Sequence, residues 1–513
     1  MRSVIFAVVI TCTSLFLPAG LFSQGDANTL RICDLTSDDG LRMDPHMEWE
    51  ERNENILNQI FEHLLELDID GNPSPSLAKS WKRLDQHRIQ FKLNENVYFH
   101  NNEPCDANAV KFSLERNIRK GPKVPNYHVV KSIKQVEVIN RTTFNIVTHY
   151  PDGILLHRLC QSGFILPPRY LQKVGDKEFE KRPVGTGPFK FARWTRGKEI
   201  VLEKNHSYWR QGMPYLDRIV YRFGNASQRA KMLLAGDVDM ITDLNPEDLP
   251  EIERRGFRTF REPSFTVMSI NFNLRKGKGP LQDKRVRKAL NHAVDVNALI
   301  EEARRGAGIR LATMGMPGEF GYDPYIKPYT YDPEKARQLL REAGFPKGFD
   351  ATILVDDIDG GAEGVFGKAL KKQLARVGIN LRIEGGNCSL RIAEPRLKEN
   401  LPPFSLDMAA RTCPDPLGHV IFNTGMLWYG SDSPWSLLND PEFDRLYEKI
   451  VRTVNLREQT RLCHKMQEMI HENAYSLFAY QSIKLYAMDR KVRYTPYMTG
   501  ALYLRDARIV YEY

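Results

Sequence analysis

The stretch GTGPF at Gly185–Phe189, followed by NHSYW at Asn205–Trp209 and MPYLDRIVYR at Met213–Arg222, is the part of the chain on which the fold assignment turns. In physical terms Gly185 and Gly187 permit tight backbone geometry, Pro188 stiffens the turn, and Leu216 and Ile219 pack a core. It is not a phosphate-binding loop, because the GK[ST] ending is missing and no helix start follows it.

Outward from this stretch, strands and capped helices mix. Residues Arg88 to Leu93 alternate, with Ile89, Phe91 and Leu93 on one face and Arg88, Gln90 and Lys92 on the other, as a half-buried strand requires. From Asp283 the period becomes helical through Val286, Ala289, Leu290, Ala293 and Val294, behind an aspartate able to cap free amides. Asp332-Pro333 and Asp440-Pro441 each set a capping carboxylate before a proline suited to a first helical turn, and Gly344 terminates the first of these helices. No repeat or low-complexity linker interrupts the pattern. The class is α/β.

The first residues run from Arg2 through an apolar stretch, Val4 to Leu21, into small residues, which predicts a cleaved secretory leader over 1–25. The remainder is too long for one compact core and calls for two or three domains. The 73 Lys and Arg against 64 Asp and Glu leave a formal charge of +9, interspersed along the chain, which argues for a solvated mixed surface and no nucleic acid. Cys33, Cys105, Cys160, Cys388, Cys413 and Cys463 follow the leader; pairing among them is open, and no CxxC spacing supports zinc. A periplasmic hydrolase is the rival class. No GxSxG, HExxH, SxxK or P-loop is present, and His464 and His471 share a helix face without zincin spacing, so no enzyme is expected.

The quoted stretch, together with GNPSPSLAKSW (Gly71–Trp81), LLAGDVDM (Leu233–Met240), DKRVRKALNHAVD (Asp283–Asp295), YDPEKARQLLREAGFPKGF (Tyr331–Phe349) and NDPEFDRLYEKI (Asn439–Ile450), resembles the extracellular solute-binding proteins of family 5, which serve oligopeptide, dipeptide and nickel ABC importers. The resemblance implies a two-lobed periplasmic binding protein fold (class II, cluster C) with an extra domain on the first lobe. Lobe one would combine 26–72, 186–275 and 488–513, the extra domain 73–185, and lobe two 276–487, with hinges near 272–280 and 485–490. It further implies a monomer in the periplasm that captures a small-molecule ligand without a cofactor and delivers it to permease subunits in the inner membrane.

The ligand implied first is a peptide or peptide-like compound, with a nickel chelate, an opine or an oligosaccharide as alternatives. In DMAARTCPDPLGH (Asp407–His419), Thr412 stands where peptide-binding members place an aspartate for the ligand's amino terminus, with Asp415 close by. The Arg411-Thr412 pair and His419 resemble the nickel-chelate members; His419 would ligate metal only if the solute is a metal chelate, and an aromatic position of that subfamily is Cys413 here. Arg411 suits any anionic solute or a salt bridge across lobe two. Trp49, in the segment that reaches the cleft in relatives, would stack on a ligand. Asn271 and Asn273 either offer amides to it or tie the hinge together.

Overall fold

The computed structural model describes residues 28–47, 51–68, 72–121, 127–161, 163–275, 279–355, 361–385, 404–410, 437–497 and 500–511. Residues 1–25, Trp49, Arg411, Thr412, Asp415 and His419 lie outside them. Strand Arg88–Leu93 forms with the expected alternation, its Ile89, Phe91 and Leu93 buried. All three predicted caps are made: Asp283 accepts from the Arg285 amide, Asp332 from Lys335, and Asp440 from Glu442 and Phe443. Gly344, at φ +88°, follows helix Pro333–Glu342.

An 11-stranded sheet runs through the molecule. Its spine is two long antiparallel strands, Arg258–Phe272 and Ser476–Met488. At one end Ser476–Met488 pairs with Met240–Ile241, which lies parallel to Thr29–Leu35, itself parallel to Arg218–Phe223. Towards the other end Arg258–Phe272 pairs with Phe404–Ala410, which is parallel to Phe349–Val355, and that in turn to Ile379–Gly385. Two cores flank the spine. The first gathers Leu30, Ile32, Ile56, Ile60, Ile219 and Tyr486; the second gathers Phe265, Leu290, Ile353, Leu370, Leu462 and Tyr480. These are the two lobes.

The spine bends between them. Pro263 pairs with Ile483 and Val267 with Gln481, so three residues, Ser264 to Thr266, oppose the single Ser482. Such a bulge kinks a strand and increases its twist. The passage between lobes therefore lies upstream of the 272–280 and 485–490 positions expected from the sequence.

The extra domain has its own four-stranded sheet, with Phe91 and Phe144 stacked at 5.4 Å in a separate core with Leu114 and Ile146. The decisive stretch explains its attachment. A Cβ on Gly185 would stand 2.0 Å from the Ile60 carbonyl oxygen and one on Gly187 2.5 Å from that of Gln59, so the turn lies flat on the end of helix Glu51–Ile60. Asn205 donates to the Gly187 carbonyl at 3.1 Å, and Tyr208 and Trp209 donate to the buried Glu62 carboxylate at 2.7 and 2.8 Å.

Candidate functional site

Chain direction fixes where the lobes face one another. Strands Thr29–Leu35, Arg218–Phe223 and Met240–Ile241 run the same way as Arg258–Phe272, which leaves lobe one at their carboxyl ends. In lobe two, Phe349–Val355, Ile379–Gly385 and Phe404–Ala410 run the opposite way, back towards lobe one. Two carboxyl edges thus meet across the bend, and open α/β sheets bind ligands outside that edge.

The lobe-one edge is organised by Arg229, which is 2% exposed. Its guanidinium donates to the carbonyls of Asp34 (3.0 Å), Gly224 (3.1 Å) and Thr242 (3.1 Å), fastening the ends of the parallel strands together. The buried Asp34 carboxylate accepts from Asn55 at 3.0 Å and from the Thr242 hydroxyl. Asp243 follows in the left-handed region at φ +47°, its carboxylate 3.7 Å from Arg229. A short acidic side chain tolerates that backbone better than most, and such positions concentrate at functional edges.

The lobe-two edge ends at Val355, Gly385 and Ala410, the last paired with Thr266 at the bulge. Arg411, Thr412, Asp415 and His419 come directly after that strand in the sequence. Between the edges, Gln481 donates to the Ser264 carbonyl at 3.1 Å and the Ser264 hydroxyl to the Ser482 carbonyl at 2.8 Å. The Gln481 carboxamide oxygen and the Thr266 hydroxyl are buried and have no hydrogen-bond partner among the described residues; a buried polar group left without one costs about 1–3 kcal/mol. Sequence reasoning passed over both. Pro263 within a strand was the available signal, since proline in a sheet marks an edge or a bulge.

Asn271 sits elsewhere. It pairs with Ser405, at the amino end of strand Phe404–Ala410, and its fully buried carboxamide oxygen accepts from Ser476 (2.7 Å) and Ser269 (3.4 Å). It ties strands together on the side of lobe two away from the facing edges. Asn273 lies past the strand end, its side-chain oxygen 3.4 Å from the Arg275 amide. His464 lies 3.9 Å from Asp323, while His471 stacks on Tyr329 at 4.4 Å, so the two histidines have separate partners. Among the described residues Cys33, Cys105, Cys160 and Cys463 are buried and form no disulfide with one another, and Cys388 and Cys413 lie outside the described residues. Among the described residues no cluster of His, Cys, Asp and Glu is suited to a metal ion, and no helix is long and apolar enough to cross a membrane.

Comparison with known proteins agrees with this geometry. Residues 72–416 match the family described as bacterial extracellular solute-binding proteins, family 5 Middle. The glutathione-binding protein GsiB of Shigella dysenteriae serotype 1 is 30% identical over 445 residues, covering 84% of this chain and 85% of that protein. Among solved structures, the ABC transporter-associated periplasmic binding protein DppA from Helicobacter pylori in complex with peptide STSA is 26% identical with a TM-score of 0.79, over 94% of this chain and 98% of that one. The binding protein AgaA from A. tumefaciens R10 in complex with agropinic acid is likewise 26% identical, with a TM-score of 0.78 over 94% and 99% of the two chains. With a two-lobed α/β fold, an extra domain on lobe one and facing strand edges, this chain belongs to the bacterial extracellular solute-binding proteins of family 5.

Proposed function

We propose that this chain is the extracytoplasmic receptor of an ABC importer, exported to the periplasm through a leader at residues 1–25. It closes its lobes on a carboxylate-bearing peptide or peptide-like solute and hands that solute to permease subunits. The observation that carries this reading is the meeting of two sets of strand carboxyl edges across one bend in the spine. A solute held between them bonds to both lobes only when they are closed, so its binding energy drives closure.

The solute class draws on relatives. Glutathione, the peptide STSA and agropinic acid, named for GsiB, DppA and AgaA, share a carboxylate beside amide or amine groups. Arg411 offers a two-pronged partner to such a carboxylate. Asp243, at the lobe-one edge, offers a negative partner to a ligand ammonium, a role for which Thr412 has no charge.

The test is native mass spectrometry of protein taken from its own periplasm, followed by calorimetric titration with glutathione, STSA, agropinic acid and nickel(II)–histidine. A peptide-like acid in the released fraction, with Arg411→Ala weakening its binding roughly 10- to 100-fold, is the expected result. Binding of nickel–histidine alone would replace the peptide reading with the chelate reading built on His419. Protein that carries nothing and responds to none of the four would refute the solute class.

A further inference from the structure

Among the described residues the extra domain reaches lobe two at the turn Tyr150–Ile154 and, three residues further on, at His157, whose ring lies 6.2 Å from that of Phe320. Residues Tyr150 to Ile154 follow strand Thr143–Thr148 and precede helix Leu155–Gln161. Three observations show that this turn is seated in lobe two. The Gly153 amide donates to the Val451 carbonyl at 2.8 Å. Ile154 is 3% exposed and belongs to the hydrophobic core of lobe two, not to that of its own domain. The Arg452 guanidinium lies 5.3 Å from the centre of the Tyr150 ring.

The seat leaves no space at position 153. A Cβ there would stand 1.9 Å from the Thr453 carbonyl oxygen and 2.7 Å from the Gln459 carboxamide nitrogen, and the first of these is backbone, which cannot swing aside. Each side is rigid. Asp152 is held by Arg158 at 3.0 Å, accepts the Ile154 amide at 2.9 Å, and gives its carbonyl to Arg83 at 3.0 Å. Opposite, Gln459 donates to the Ile450 carbonyl at 3.0 Å, which stiffens the end of helix Pro441–Arg452.

We propose that the Tyr150–Ile154 turn is a latch whose seating on Val451–Thr453 holds the lobes closed. The extra domain is fixed to lobe one, so rotation about the bend at 263–267 and 481–483 must draw Gly153 away from Thr453 and Ile154 out of the lobe-two core. Release of this contact is then part of every opening event, and its strength sets how long the solute is retained. The idea rests on the two-lobed capture reading but not on any solute, so it is tested without one.

Protein stripped of solute by unfolding and refolding is compared with Gly153→Val by small-angle X-ray scattering and by amide hydrogen exchange. Gly153→Val is expected to scatter as a more extended particle, with its circular dichroism retained. In the unsubstituted chain the Gly153 amide should exchange by a local opening, and Ile154→Ser should raise that opening about tenfold while Phe144 and Ile146 keep their protection. A Gly153→Val protein with unchanged scattering, or a Gly153 amide as slow as that of Ile146 in both proteins, would overturn the latch. Should Gly153→Val fail to fold, the exchange comparison with Ile154→Ser decides alone. Loss of solute binding is not read in either arm, so failure here leaves the capture reading intact.

Discussion

The extra domain has two seams, and they are built from different chemistry. Against lobe one it is joined by buried charge: Arg116 grips Asp44 through two hydrogen bonds and reaches Asp176 at 2.8 Å, with both the Arg116 and Asp44 side chains at most 5% exposed. Glu66, whose neighbours Leu65 and Leu67 are buried in the core of the extra domain, holds Arg210 at 2.9 Å and Arg505 at 3.2 Å in lobe one. Against lobe two, among the described residues, it has a backbone hydrogen bond at Gly153, the buried Ile154, Arg452 over the Tyr150 ring, and the His157 ring 6.2 Å from Phe320. Separating buried ions exposes uncompensated charge, whereas lifting an isoleucine and one amide into water costs far less. The first seam is permanent and the second is made to open.

The sharpest way to break this contrast is at the permanent seam. Arg116→Ala strands the Asp44 carboxylate and should cost about 3–5 kcal/mol, read as a lower urea midpoint of the extra domain and lobe one together. A midpoint within error of the unsubstituted protein would show that the seam is no stronger than the latch.

Acid acts next, and on both seams. Burial lowers the His46 pKa from 6.5 to about 4 and that of His157 to about 3, the first beside Asp44 and the second adjoining the latch with its ring 6.2 Å from Phe320. Both imidazoles are neutral in the folded chain. As pH falls below 6.5 the unfolded chain takes up protons and the native chain does not, so the stability these groups contribute is present above that pH and is lost as the pH falls towards 4. The slope is about 1.4 kcal/mol per pH unit for each histidine. Urea midpoints at pH 7 and pH 5 should differ accordingly, and His157→Phe should flatten the dependence by one histidine's share. A midpoint that does not move between the two pH values would remove this account.

The smallest effect belongs to Tyr150→Ala, which takes away the ring beneath Arg452 and the hydroxyl's hydrogen bond with Arg158. It should loosen the latch by about 0.5–1 kcal/mol, visible as faster exchange at Gly153 with the urea midpoint preserved. A drop in the midpoint as large as that of Arg116→Ala would merge the two seams into one cooperative unit.

Much of the fold was legible because it depends on local rules. Asp283, Asp332 and Asp440 cap the helices they announce, and alternation from Arg88 to Leu93 marks a strand correctly. The bend was harder to see, since the sequence there remains strand-like on both sides and the kink comes from a count of opposing residues, Ser264 to Thr266 against Ser482. Asn271 shows the same limit: its alternation on a strand is real, but the end of the sheet at which it ties strands together follows from pairing with Ser405. The latch shows the limit most clearly. Tyr150-Pro151-Asp152-Gly153 reads as a turn from its composition, while its partner, Val451 to Thr453, lies far along the chain and leaves no local trace.

The spine has a mechanical consequence. Because Arg258–Phe272 and Ser476–Met488 remain hydrogen-bonded to each other on both sides of the bulge, the lobes are joined by a ribbon and not by loose tethers. A ribbon flexes easily across its flat face and resists shear and twist in its plane, so it behaves as a leaf spring that guides the lobes along one path. Few relative orientations are lost when the lobes shut, and the entropy that a swivelling joint would forfeit at each capture has already been given up once, when the chain folded.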